Sequence, residues 1–400
     1  MEKFILWHNP AVTDFSLPPL SLYVHLPWCV RKCPYCDFNS HERESLPEIE
    51  YIDALIRDLD WELSQADWTP RPLHSIFFGG GTPSLFSAEA IQRLLRAVEA
   101  KLGFEEDIEI TLEANPGTAE AERFTGYRQA GVTRLSIGVQ SFDDQQLQKL
   151  GRIHRSEQAV AAADMARAAG FTQYHNGAHG FNLDLMYALP GQRVEEALSD
   201  VEQALALEPS HISHYQLTLE PGTAFYYRPP ELPDDDTAFA MQTACQKTLA
   251  EAGFEHYEVS AYSRPLRACR HNLNYWQFGD YLAIGAGSHA KLTSRQSIHR
   301  RSKVKTPDKY LRYAGAHEAL DEAAGIPESQ RGFEFMLNAL RLVEGVPSAL
   351  FEQRTGLPLA TIEKTLGPLR ERGLLTQNAR RIQPTDQGLR FLNVLMGEFL

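Results

Sequence analysis

The chain lacks several things that would define whole classes of protein. No apolar run approaches the ~18 uninterrupted residues of a membrane-spanning helix, which excludes a polytopic membrane protein. Cysteines are few, 5 in 400 residues, so this is not a disulfide scaffold. Basic residues are outnumbered, 39 against 52 acidic, for a formal net charge of -13; that excludes nucleic-acid binding over the whole surface. The first residues, MEKFILWHNPAVTD, hold too short an apolar run for a signal peptide and no small-residue cleavage site. A cytoplasmic protein with reduced cysteines is therefore expected. Bulk composition is ordinary, at 43% hydrophobic and 23% charged, which rules out a mainly disordered chain. The length suggests two or three units, or one large barrel with additions.

Between residues 20 and 220 six β-prone apolar runs stand out: Leu22–Leu26, Ser75–Phe78, Ile108–Ala114, Arg134–Val139, Phe181–Met186 and Ile212–Leu217. Amphipathic stretches separate them, at Glu48–Ser64, Ala88–Leu102, Ala119–Ala130, Glu157–Ala169 and Val194–Leu207. In the first of these Tyr51, Leu55, Leu59 and Leu63 recur at four-residue steps, with Arg57, Asp58, Asp60 and Glu62 mostly between them as a polar face. Alternation of strand and helix implies parallel βαβ units. Six units fit a partial (β/α)6 barrel of the TIM type, with a doubly wound sheet as the alternative. Each run is followed at once by an unusual loop: Cys29–Cys36, Gly79–Pro83, Glu113–Pro116, Gln140–Phe142, Leu189–Gln192 and Glu220–Gly222. Glycine and proline alone would only mark loops. Glu113, Gln140 and Asp184 ask for more, and barrel sites are built at the C-terminal ends of strands.

After Pro221 the texture changes. Tyr226–Asp236 is rich in proline and acid and suggests a linker. A helix is expected over Phe239–Ala252, strands over Glu255–Tyr262 and Tyr281–Leu292, and an exposed basic stretch over Arg295–Lys305. From Arg331 onward, helices over Phe333–Leu342, Pro347–Thr355 and Pro358–Arg372, a hairpin over Leu374–Gln383 and a last helix over Asp386–Leu400 resemble a winged helix. Its charge is nearly balanced, 9 basic against 7 acidic residues, so packing or partner contact is favoured over DNA binding. The expected division is a barrel over 1–225, an α+β extension over 226–325 and a winged-helix-like module over 326–400.

Cys29, Cys33 and Cys36 form C-x3-C-x2-C. Three thiolates on a short loop suit three irons of a [4Fe–4S] cube, with one iron left open. A structural zinc site would need a fourth ligand, from His25 or His41, and remains the alternative. Cys245 and Cys269 lie far away in sequence and suggest structural thiols.

From Leu22 onward the sequence resembles the radical S-adenosylmethionine (SAM) superfamily. LYVHLPWC, CPYCDF, FFGGGTPS, LEANP, GVQSF, NLDLMYALPGQ, YQLTLEPGT and HNLNYW are all similar to its coproporphyrinogen oxidase-like group. The resemblance implies SAM at the open iron. Gly80, Gly81 and Thr82 would lie in the loop that holds the methionine amino group. Glu113, Gln140, Arg152 and Asp184 would meet the polar groups of a zwitterionic nucleoside, Arg152 by a bidentate contact with the carboxylate. Tyr23 would contact SAM, and Tyr35 would either pack beside the adenine or simply anchor the loop.

Two branches of that group differ. Oxygen-independent coproporphyrinogen III oxidases carry a further cysteine two positions after the third, where this chain has Phe38, and a longer N-terminal extension. The motif His271-Asn272-Leu273-Asn274-Tyr275-Trp276 resembles that of the group's heme chaperones. The resemblance implies heme as cargo, His271 as an axial ligand or attachment site, and a heme-acceptor protein, at the membrane or elsewhere; it leaves room for a homodimer and implies no nucleic acid. By residue chemistry alone His271 beside Tyr and Trp would be a packed core histidine. The oxidase activity is the alternative function. One departure is the segment His175–Gly180, an apparent insertion before NLDLM, read as a surface loop with metal binding disfavoured by its glycines.

Overall fold

Parallel strands need a crossover to return the chain to the same edge, and the amphipathic stretches supply it. The computed structural model describes residues 17–65, 68–117, 122–172, 179–295 and 297–400. In it β1 (Leu20–Leu26), β2 (Leu73–Gly80), β3 (Phe104–Ala114), β4 (Arg134–Gln140), β5 (Gly180–Tyr187) and β6 (His211–Gln216) lie side by side in chain order, each parallel to the next. Helices Glu48–Ser64, Ala88–Leu102, Phe124–Ala130, Ser156–Ala168 and Val194–Ala206 fill the crossovers. The strand order runs one way, without the reversal of a doubly wound sheet. β6 does not pair back to β1, so the barrel is partial. Leu20, Leu22, Val24 and Leu26 are buried, and so are Ser21 and His25 on the other face, as expected of a strand covered on both sides. Of the insertion-like segment, residues 175–178 lie outside the described residues, and so do 119–121 of the third expected helix; β5 begins at Gly180.

The sheet continues past both edges of the barrel, and here the structure corrects the sequence pattern. Glu255–Tyr262 is two strands, β7 (Glu255–Glu258) and β8 (Ala261–Ser263), antiparallel to each other, with β8 antiparallel to β6. The strand expected over Tyr281–Leu292 also splits. β9 (Asp280–Ile284) runs parallel to β1, and β10 (His289–Thr293) returns antiparallel to β9. The break falls at Gly285, whose φ of 107° is left-handed and where a Cβ would lie 2.3 Å from the His25 carbonyl oxygen. β11 (Ile298–Lys303) and β12 (Leu320–Gly325) complete a twelve-stranded sheet in the order β12-β11-β10-β9-β1-β2-β3-β4-β5-β6-β8-β7.

β11 comes from the stretch expected to be an exposed basic one. Instead Arg301 and Lys303 are buried, because their charges are met. Lys303 Nζ lies 2.6 Å from Asp58 and 2.7 Å from Glu62, and Arg301 Nη1 lies 2.6 Å from Glu62. Tyr310 Oη donates to Asp58 at 2.6 Å. Asp58 and Glu62 are each 0% exposed. These carboxylates belong to the Glu48–Ser64 helix, on the face assigned to solvent by the sequence pattern. Their four-residue spacing stacks them on one stripe, and β11 covers that stripe.

Toward the C-terminus the helices are Glu328–Ala339, Ser348–Thr355 and Ala360–Glu371. The expected hairpin closes only through Leu375 and Pro384, while its Arg381–Ile382 strand pairs with Val346–Pro347. The expected final helix breaks at Phe391 into Asp386–Arg390 and Leu392–Gly397. A second apolar core around Phe335, Met336, Phe351 and Leu366 also takes in Phe278 and Ile298 from the extension. The expected linker begins with one helical turn, Ala224–Tyr227. Among the described residues no helix is long and apolar enough to cross a membrane.

Replacing Lys303 by Met strands two buried carboxylates without their shared ammonium. Breaking a buried ion pair from one side costs about 3–5 kcal/mol. Urea unfolding of Lys303→Met is expected to show a loss of that size; a loss under about 1 kcal/mol, as for an ordinary surface change, would contradict the description.

Candidate functional site

Because β1 to β5 are parallel, their C-terminal ends share one rim, and the loops that follow them converge there. After β1, Trp28–Cys29 pairs in parallel with His41–Glu42 and closes the cysteine loop. Lys32 Nζ ties the loop by donating to the carbonyls of Phe38 and Ser40, at 3.0 and 3.2 Å. Cys29, Cys33 and Cys36 are free and partly exposed. Each thiol has a polar neighbour. Thr82 Oγ1 donates to Cys29 Sγ at 3.3 Å, Arg152 Nη1 to Cys33 Sγ at 3.6 Å, and Ser40 Oγ lies 3.8 Å from Cys36 Sγ. Burial pushes the Cys29 and Cys36 thiols up. A bound cation reverses that, since a coordinating thiol is deprotonated outright.

The three thiols and Tyr35 stand on the wall of a cavity of about 530 Å³. The loop after β2 brings Gly80, Gly81 and Thr82 to the same wall; β3 brings Glu113, β4 Gln140 and β5 Asp184, and Arg152 closes it. Gly80 has a left-handed φ of 110°, and a Cβ there would lie 2.5 Å from the His25 ring. The glycine therefore serves close packing against β1 as well as the cavity. Gln140 holds φ at 70°, strained for a side-chain-bearing residue, and its Oε1 accepts from Tyr215 Oη at 2.7 Å.

Burial, with the charge of Asp184 second, pushes the Glu113 carboxyl up to about 8. Burial also raises Asp184, whose oxygens accept from Asn182 at 2.7 Å and Ser136 at 3.1 Å. Arg134, buried on the same cavity, offsets part of this rise; two carboxyls still held above their ordinary values suit an ammonium and ribose hydroxyls. Arg152 departs from its expected use. Its Nη2 donates to Asn115 Oδ1 at 2.7 Å and to the Gly138 carbonyl at 2.8 Å, and Nη1 faces Cys33. The fork is largely engaged within the protein; Nε remains buried without a partner. Asn115, which also donates to Thr82 Oγ1 at 3.1 Å, and Tyr215 are site residues that the sequence reasoning missed. Both were within quoted motifs, Asn115 in LEANP and Tyr215 at the head of YQLTLEPGT.

The donor set suits a cluster better than a single metal ion. Among the described residues no three His, Cys, Asp or Glu side chains are gathered closely enough to hold one ion. A mononuclear zinc site needs four ligands about one point, whereas a cube spreads its thiolates over different irons.

Tyr23 and His271 do not line this cavity. Tyr23 lies on a second one, of about 580 Å³, which shares the walls at Gly80, Glu113, Lys32, Phe38 and Ser40. His271 lines neither and is 1% exposed. Its Nδ1 lies 2.9 Å from Ser75 Oγ, its backbone N–H donates to Glu109, and its ring packs on Phe77. Burial lowers its imidazole to about 3, and Nε2 is buried without a partner. Within the same helix, Arg270–Trp276, Asn272 reaches the first cavity and Tyr275 the second.

A six-unit partial barrel with three free thiols at its C-terminal rim defines a radical SAM protein. The Radical SAM superfamily model matches residues 23–204, and the HemN C-terminal domain model matches 326–391. The chain is 50% identical to heme chaperone HemW of Haemophilus influenzae and 46% identical to that of Escherichia coli, covering 96% of this chain and 99% of each relative. It belongs to the heme chaperone HemW family. The solved coproporphyrinogen III oxidase (HemN) of Escherichia coli superposes with a TM-score of 0.78 at 23% identity, over 97% of this chain and 91% of that one, which shows a shared fold.

Glu113 gives a pH prediction. Its folded-state value lies above the ordinary 4.5, so the folded chain holds a proton that the unfolded chain releases. Its contribution to stability is full below about 4.5 and is lost as pH rises through about 8. Ligand-free wild type should therefore lose stability relative to Glu113→Gln across that window, measured by thermal melting; a pH-independent difference would contradict the burial of this carboxyl.

Proposed function

We propose that the chain is a cytoplasmic heme chaperone. It carries a [4Fe–4S] cluster on Cys29, Cys33 and Cys36, binds SAM in the adjoining cavity, and hands heme to an acceptor protein, one at the membrane being the fitting case. The observation that carries the cofactor part is the placement of three free thiols on the same cavity wall as Glu113, Asp184 and Arg152. The cargo is carried by kinship with proteins named for heme.

When bound, the cluster offers an open iron to the nucleoside and an electron to its sulfonium. The residues do the rest. Arg152 places positive charge beside Cys33 and, by its bonds to Asn115 and to the Gly138 carbonyl, holds the loop after β3 against the end of β4. Glu113 and Asp184 receive the amino group and hydroxyls; a cation beside Glu113 draws its proton away. Tyr35 is half-buried beside Cys33, and desolvation keeps its phenol neutral, which leaves an uncharged ring for the adenine. Phe38, 60% exposed on the rim shared by both cavities, occupies the position where the oxidase pattern places a cysteine; an apolar side chain there favours a porphyrin face over a further cluster ligand. The proposed division remains 1–225, 226–325 and 326–400.

Anaerobic reconstitution with iron and sulfide, followed by hemin titration, tests the proposal. About one cluster and one heme per chain are expected, the heme seen as a Soret band. Cys33→Ala should lose most of the iron and sulfide. Absence of heme binding, or robust conversion of coproporphyrinogen III with SAM and an electron donor, would overturn it.

A further inference from the structure

The second cavity is built from different chemistry than the first. Its volume of about 580 Å³ falls within the ~300–1,000 Å³ of cofactor pockets. Tyr23, Tyr275 and Tyr281 line it, and burial keeps all three phenols protonated. Tyr275 and Tyr281 pack with ring centroids 4.2 Å apart, and Phe38 stands at the mouth. Uncharged aromatic walls of this kind suit a large flat ring.

Three histidines line the same cavity, and they are not equivalent. His25 is buried with both ring nitrogens engaged, Nδ1 at 3.2 Å from Tyr23 Oη and Nε2 at 2.8 Å from the Asn39 carbonyl. His41 Nε2 is held by Asn39 Oδ1 at 3.2 Å. His289, at the start of β10, is exposed, and among the described residues its ring makes no hydrogen bond. The desolvation it does feel, with the charge of Lys305 next, favours the neutral imidazole that binds metal. Lys305 lines the cavity beside it, and no described residue accepts from its ammonium; only its backbone carbonyl is used, by Asn39. Lys32 differs, since its ammonium is committed to two carbonyls of the cysteine loop.

We infer that this cavity is the heme site, with His289 as the protein ligand to the iron and Lys305 paired to a propionate. A free imidazole can ligate the iron, a free ammonium can pair with a carboxylate, and the neutral tyrosine rings can face the porphyrin. His271 then has a positioning role: through Ser75 and Glu109 it seats the helix that presents Tyr275. The inference rests on the heme reading above and deepens it. Because Gly80 and Glu113 border both cavities, heme sits next to the nucleoside.

The test is hemin and iron-free protoporphyrin IX titrated into the reconstituted full chain, as wild type, His289→Ala, Lys305→Gln and His271→Ala. Both new positions are exposed, so the variants should fold, and their melting curves should match wild type. His289→Ala is expected to shift the Soret band and weaken hemin on the order of tenfold or more, with protoporphyrin unchanged. Lys305→Gln should weaken both porphyrins by about tenfold, the scale of one charge-assisted hydrogen bond. A wild-type Soret band and affinity in His289→Ala, or a Soret shift in His271→Ala alone, overturns the assignment while leaving the heme reading intact. No hemin binding by wild type sinks the heme reading, and this assignment with it.

Discussion

The four charges of Asp58, Glu62, Arg301 and Lys303 hold the extension to the barrel. None of them can be buried alone without a penalty of several kcal/mol, so helix and strand must meet in one register. The contact runs on toward the site through short steps. Tyr310 donates to Asp58 and accepts from the Gly285 N–H at 3.0 Å. Tyr51 donates to the His25 carbonyl at 3.0 Å and accepts from the Ala286 N–H at 2.9 Å. Asn39 then donates to the carbonyls of both Ala286 and Lys305, each at 2.9 Å. The end of β1, the cysteine loop and the turn between β9 and β10 are fixed to one another by these bonds. The second cavity exists because of that junction.

The first cavity depends on something simpler. Five parallel strands end at one rim, and each delivers one or two polar groups there. The carboxyls of Glu113 and Asp184 share a volume in which burial raises them both, the charge of Asp184 adding to the rise at Glu113. Arg152, on the same wall, sets its guanidinium beside the Cys33 thiol. The carboxyls would take the cationic and hydroxyl groups of a zwitterionic nucleoside, and the guanidinium would offset the charge of a thiolate-bound cluster. The Arg270–Trp276 helix borders both volumes, through Asn272 and Tyr275, so its anchoring by His271 and by Asn274, which donates to Ser21 Oγ at 2.9 Å, matters to each.

The barrel was legible in the sequence because period and punctuation agreed. Apolar runs, amphipathic returns and odd loops after each run are local signals, and eleven of the thirteen expected cofactor residues line the first cavity. What failed was non-local. Asp58 and Glu62 look solvated until β11 is known to cover them, and Arg295–Lys305 looks exposed until those carboxylates are known to wait for it. Each half of the ion cluster hides the meaning of the other. The place of His289 and Lys305 on the second cavity is hidden for the same reason: nothing near them in the chain marks a cavity that only the junction creates. His271 differs: its motif is conspicuous, while the structure buries its side chain outside both cavities, Nδ1 on Ser75 and Nε2 without a partner.

In the proposed function, cluster, nucleoside and heme occupy adjoining volumes at one rim. Pulsed electron paramagnetic resonance on the chain loaded with both groups tests it directly. With the cluster reduced and the heme held paramagnetic, enhanced relaxation of one centre by the other is expected, and a cluster signal that changes when SAM is added. Two centres that relax independently, with a cluster indifferent to SAM, would contradict it.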